Sequence, residues 1–341
     1  MDKTMRAAYV KVPYQVEIRE VPVPDVADEW ALVQVKACGI CGTDMHITGV
    51  QANKWQGLGH EVAGIVVKAG KEIHHVKEGD TVALESGSFN PYTNISKDGR
   101  VDLDATGRNF WGNKTMGFAD YILAPKEALV PYNPKDLDYK VACLAEPLGV
   151  AIDMTYTADI KLGNDVLVLG LGAIGLMSIP LARMQGAMRI YAVNRSGGKR
   201  AELAKAYGAH EVILTKKTPL EKIKFRNGGV DRALVSASPR ILPDVMKRMN
   251  YGGYVAFIGI EYGEGATITF DANDFHFNKT QLRASHAAPA LYFPTALQLL
   301  KDGHVDGDAI ISHVLPLDKL EEGLHLMRDN REEVLKVVVT P

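Results

Sequence analysis

At 341 residues the chain is long enough for two domains, at roughly 100–200 residues each. Hydrophobic residues make up 46%, charged residues 23%, and the net charge is −2, which gives no reason to expect nucleic acid or an anionic membrane as a partner. No apolar run reaches the ~18–20 residues of a membrane span, the first residues lack the apolar centre of a secretory signal, and three cysteines are too few for a disulfide framework, so a cytoplasmic home is expected.

Residues 6–36 alternate apolar and polar as strands do, for example in Val16-Glu17-Ile18-Arg19 and Leu32-Val33-Gln34-Val35, with a proline-rich break at 22–24. Glycines then punctuate residues 39–87 densely, predicting short strands and turns in a small β-rich, barrel-like domain. From about residue 150 strands and helices take turns: a strand at 166–169, a helix at 173–185, strands at 189–193, 211–214, 232–235 and 254–258, and a helix at 198–207. That is the βαβ rhythm of a doubly wound parallel sheet, which a sixth strand at 281–284 would complete. A helix at 291–302 and a final strand at 337–340 are expected to return to the first domain, giving boundaries of 1–153, 154–285 and 286–341.

Gly170-Leu171-Gly172-Ala173-Ile174-Gly175 reads G-x-G-x-x-G between an apolar strand and a helix, the context in which this motif binds a dinucleotide. The first glycine permits the tight turn, the second lets backbone approach a pyrophosphate, and the third lets helix pack on strand. Ala173 and Ile174 open a helix whose free N–H groups favour the phosphates. About 20 residues on, where a carboxylate would select NAD, stand Asn194 and Arg195, with Lys199 and Arg200 close behind. A guanidinium suits a 2′-phosphate, so NADP is preferred over NAD.

Cys41 and His60 are borderline-soft ligands that suit zinc, and a catalytic zinc usually takes three protein ligands. Glu61, adjacent to His60, or the distant Glu146 would be the third. Cys38 and Cys143 read as buried residues, and His74 and His75 as solvated ones.

Five motifs in order carry a resemblance across essentially the whole chain: Gly39-Ile40-Cys41-Gly42-Thr43-Asp44-Met45-His46, Gly59-His60-Glu61, Gly117-Phe118-Ala119-Asp120-Tyr121, Glu146-Pro147-Leu148 and Gly170 through Gly175. Together they resemble the zinc-dependent medium-chain dehydrogenases, polyol and sorbitol dehydrogenase branch. The resemblance implies an α/β protein with a GroES-like catalytic domain and a Rossmann cofactor domain. It implies one catalytic zinc on Cys41 and His60, with Glu61 and Glu146 sharing the carboxylate role. Asp44 would orient His60, Thr43 would take the substrate proton, His46 would relay it, and Lys336 would contact the cofactor pyrophosphate. The substrate would be a polyol, sugar or cyclitol, and the protein a homo-oligomer, dimer or tetramer.

The chain departs from many relatives in one respect. The lobe near residues 85–115, which often carries four cysteines on a structural zinc, has none. Two other readings compete: a zinc-free NADP-dependent reductase of the same fold, and a non-catalytic nucleotide-binding protein.

Overall fold

The computed structural model describes residues 3–341. It divides into one unit running to Gly149 and resuming over Ala288–Pro341, and a second over Val150–Ala287.

The first unit is built around two sheets. In the smaller, β1 (Thr4–Lys11) lies between β2 (Gln15–Pro22) and a short β4 (Gln56–Gly57). The larger is organised by β3 (Trp30–Gly39), which pairs antiparallel with β5 (Glu61–Ala69) on one side. On its other side it meets β7 (Tyr121–Pro125) along its first half and the C-terminal strand β16 (Lys336–Thr340) at its end. β6 (Thr81–Leu84) and β8 (Leu129–Pro131) extend the sheet past β5, and β15 (Ile311–Pro316) pairs parallel with β16. Register shifts at Leu32/Val33 and Val35/Ala37 mark bulges in the β3–β5 ladder, which bend and twist a sheet so that it can curl. Val33, Val35, Val62, Leu84, Phe110, Phe118, Ile122 and Val337 fill the interior. Burying such side chains contributes roughly 1.5–3 kcal/mol each, an upper estimate because the unfolded chain already hides part of them.

The expected final strand at 337–340 begins one residue earlier and does return to this unit, through the pairs Val338↔Gly39 and Val339↔Cys38. β15 and the helix Leu320–Asp329 were not anticipated by the apolar pattern. β15 is an edge strand with a largely exposed or half-buried face, so its alternation is weak. The helix carries a readable signal, Leu320, Gly323 and Leu324 buried at i, i+3 and i+4 beside exposed Glu321 and Glu322.

The second unit is a six-stranded parallel sheet in the order β11-β10-β9-β12-β13-β14. These are Glu211–Leu214, Arg189–Asn194, Asp165–Leu169, Val230–Val235, Met249–Phe257 and Gln281–Ala284 respectively. All six predicted strands are present, and β13 starts five residues earlier than its apolar core, at Met249. The order reverses direction at β9, the switch point at which such sheets bind nucleotides beyond their carboxyl ends.

The cysteine-free lobe has its own centre. Asp104 is buried and accepts hydrogen bonds from the hydroxyls of Thr93, Ser96 (2.9 Å) and Thr106 (2.6 Å) and from the Thr106 backbone N–H (2.9 Å). These donors, the Thr106 hydroxyl foremost, hold its carboxyl well below the usual range. Asp104→Ala is expected to loosen the lobe selectively, speeding amide exchange at Ser96 and Thr106 about tenfold or more while leaving the β3–β5 ladder protected. Unchanged exchange in the lobe would remove Asp104 from that role.

Candidate functional site

β3 ends at Gly39, and the chain turns at Ile40 and Cys41 into the short helix Gly42–His46. Cys41 is the N-cap of that helix. Its Sγ accepts from the Thr43 N–H at 3.5 Å, while Asp44 Oδ2 accepts from the Cys41 N–H at 2.9 Å. The reciprocal pair is a capping box, and it fixes the thiol on the first turn. Thr43 and His46 follow at i, i+3, on one side of the helix, both half-buried.

His60 and Glu61 come from the start of β5. Gly59 precedes them with φ +97°, a conformation that a side chain there would strain. Its missing Cβ also leaves room for Phe118 and Cys38. The imidazole is 3% exposed, with Nδ1 3.6 Å from Asp44 Oδ1 and its ring tilted against Trp111 at 4.7 Å between centroids. Asp44 thus binds the Cys41 backbone and sets its other oxygen within ion-pair reach of the His60 ring, with no hydrogen bond between the two. Burial disfavours a charged His60, but Asp44 and Cys41 outweigh it and raise its pKa, so the local field favours a cation.

Cys41, His60 and Glu61 offer ligand atoms that all lie within 4.8 Å of one another, the one such group among the described residues. A sulfur, a nitrogen and a carboxylate oxygen are the donors zinc takes, at bonds of roughly 2.0–2.3 Å, so the set fits the metal by its chemistry and by its closeness. Glu146 is not in that group. It is buried 60 residues along from Ser86, whose hydroxyl donates to its Oε1 at 3.1 Å. Burial, reinforced by Glu61, raises its pKa. Cys38 is fully buried in β3, and burial pushes its thiol far above the ordinary value.

One expectation is corrected. Lys336 does not present its ammonium for a pyrophosphate. Its Nζ lies 2.7 and 2.8 Å from the two Glu61 carboxylate oxygens and 3.1 Å from the Ile40 carbonyl, and the residue is 4% exposed. Its three protons have three acceptors inside the first unit, so none remains for a cofactor. Burial lowers the Lys336 pKa, but Glu61, Cys41 and Glu146 more than compensate and raise it.

Two contributors escaped sequence reading. Gly39 stands opposite Glu61 in the ladder, and a Cβ there would lie 2.0 Å from Glu61 Oε2. Ser86 holds Glu146. Gly39 was visible as part of its motif; nothing in the sequence marks Ser86.

In the second unit the nucleotide turn leaves β9. Gly170 has φ +95°, and Gly172 caps the helix Ala173–Met184 with open space where a Cβ would go. A Cβ on Gly175 would lie 1.9 Å from the Gly170 carbonyl oxygen. Ser236 braces the turn by donating to that carbonyl at 2.9 Å. Ala173 and Ile174 form the helix's first turn. At the end of β10, Asn194 folds its amide onto the Ser196 carbonyl at 2.9 Å, and Arg195 is exposed. Lys199 and Arg200 open the helix Lys199–Ala206. No carboxylate stands at the end of β10.

Comparison with known proteins places both halves. Residues 27–134 match the alcohol dehydrogenase GroES-like domain, and residues 173–302 match the zinc-binding dehydrogenase model. The chain is 33% identical to the L-threonine 3-dehydrogenase of Bacillus velezensis, over 95% of each chain. It is 28% identical to the sorbitol dehydrogenase of Bacillus subtilis, over 99% of this chain and 98% of that one. A solved structure from Sinorhizobium meliloti, described as a zinc-binding dehydrogenase bound to NADP, superposes with a TM-score of 0.88 at 26% identity over the whole of both chains.

Proposed function

This chain belongs to the zinc-binding medium-chain alcohol dehydrogenases, and on that premise we propose that it oxidises a small polar secondary alcohol (a polyol, sugar or cyclitol) with NADP in preference to NAD. The observation that carries the reading is the cluster of Cys41, His60 and Glu61. These three would hold the zinc, with Glu146 as an alternative carboxylate. When bound, zinc supplies a Lewis acid that lowers the pKa of the alcohol. Asp44 holds the Cys41 backbone and would orient His60 through the carboxylate oxygen facing its ring. Thr43 takes the hydroxyl proton at Oγ1, and His46 passes it outward. The turn of Gly170, Gly172 and Gly175 would hold the pyrophosphate of a nicotinamide dinucleotide, which would supply the hydride acceptor for the alcohol.

Support for NADP is the missing carboxylate at the end of β10 and the exposed guanidinium of Arg195 beside it. Arg195→Ala is expected to raise the KM for NADP about 10–100-fold, the range for losing a charge-assisted contact to phosphate, and to change the KM for NAD far less. Equal effects on the two cofactors would remove Arg195 from that role.

The 33% identity to an L-threonine 3-dehydrogenase favours a second substrate reading, a β-hydroxy amino acid. One panel separates the two: polyols, sugars, cyclitols and β-hydroxy amino acids, each scored by kcat/KM with both cofactors. A top rank for the amino acids would replace the polyol reading.

A further inference from the structure

Lys336 is the one buried lysine or arginine among the described residues, and it lies among the acids of the candidate metal site. Asp44 and Glu61 are fully buried and Glu146 is 9% exposed. A buried carboxylate without a counter-ion is costly.

We propose that Lys336 is an internal counter-ion that competes with zinc for Glu61: it holds the Glu61 carboxylate in the metal-free protein, and the metal must draw that carboxylate away. The proposal rests on the reading of Cys41, His60 and Glu61 as zinc ligands. Three observations carry it. Lys336 Nζ grips both oxygens of Glu61, at 2.7 and 2.8 Å, including the oxygen that completes the cluster with Cys41 and His60. The ammonium has little freedom to retreat. It is also bound to the Ile40 carbonyl, and β16 is stitched to β3 by Val338↔Gly39 and by the Ile40 N–H to the Val337 carbonyl at 2.9 Å. The Glu61 carboxylate, by contrast, has Lys336 as its one hydrogen-bond donor among the described residues.

Gly39 supplies the third observation. The lysine-bound carboxylate occupies the space a side chain at 39 would fill, with Oε2 only 2.0 Å from that Cβ position. The glycine thus makes room for the paired arrangement of Glu61. Lys336 acts through Glu61 and is a positioning residue.

The test compares wild type, Lys336→Met, Lys336→Arg and Gly39→Ala as full-length proteins. Zinc affinity is measured by chelator competition, and melting temperature is measured with and without zinc. Lys336→Met is expected to bind zinc about tenfold tighter or more, because a buried cation near the metal and the competitor for its ligand are both gone. Its zinc-free form should melt below zinc-free wild type, and its gain on adding zinc should be larger. Lys336→Arg should keep the wild-type values. Gly39→Ala, which evicts Glu61 from the pairing without touching the lysine, should also tighten zinc binding, so the idea stays testable if the methionine variant does not fold. Unchanged or weaker zinc binding in Gly39→Ala and in folded Lys336→Met would overturn the competition while leaving the zinc site intact. A wild-type chain that binds no zinc would instead overturn the metal reading itself.

Discussion

Cys41→Ser or His60→Ala is expected to lower turnover by about a thousandfold or more while cofactor binding by the second unit is kept. Lewis-acid stabilisation by a metal is worth several kcal/mol at the transition state, and about 4 kcal/mol is about a factor of a thousand. Cys41 caps its helix, but the sulfur's contact with the Thr43 N–H is long, at 3.5 Å, and serine is a good cap. The fold should therefore survive Cys41→Ser. His60 leaves a cavity under Trp111, so His60→Ala will cost some stability as well. The diagnostic readout is the split: kcat falls, zinc content falls, and the dissociation constant for NADP stays within a few-fold of wild type. The two variants should also fail together, since either one removes a ligand of the same metal. Near-normal turnover in either would mean that the cluster is not the catalytic centre.

Gly172→Ala and Gly175→Ala should both weaken cofactor binding, for different reasons. A Cβ on Gly172 meets nothing within 4 Å, so the apoprotein should keep its melting temperature. The cost appears only when a pyrophosphate tries to approach the backbone, and an affinity loss of about tenfold or more is expected there. A Cβ on Gly175 lies 1.9 Å from the Gly170 carbonyl oxygen and 2.8 Å from Ser236 Oγ. That clash exists without any ligand. It should force helix Ala173–Met184 away from β9 and lower the melting temperature by several degrees, as overpacking a tight contact does. Isothermal titration and thermal melts separate the two. A Gly172→Ala protein that binds NADP as wild type does would remove the phosphate role from this turn.

The cofactor unit was readable from sequence in almost every strand because β9, β10 and β12 are buried apolar runs and each glycine of the turn answers a separate backbone demand. The metal cluster was readable in part. Cys41, His60 and Glu61 sit in short motifs, and two strands bring those motifs together through the pair Gly39↔Glu61. What could not be read depends on burial and on distance along the chain. Lys336 is 275 residues from Glu61, and only the return of β16 to β3 joins them. A sequence shows that Lys336 is charged but not that its ammonium is buried against the Glu61 carboxylate. Trp111 reaches His60 from a lobe with no apolar periodicity. The edge strand β15 was missed for a related reason: half-exposed strands keep little of the alternation that marks a buried one.

The most direct test is metal content by mass spectrometry on freshly purified, unchelated protein, run beside Cys41→Ser. The zinc account predicts about one zinc per chain in the wild type, lost in the variant and not regained by it after incubation with zinc and desalting. Zinc at the level of a chelator-stripped control would contradict it and favour a zinc-free NADP-dependent reductase on the same fold.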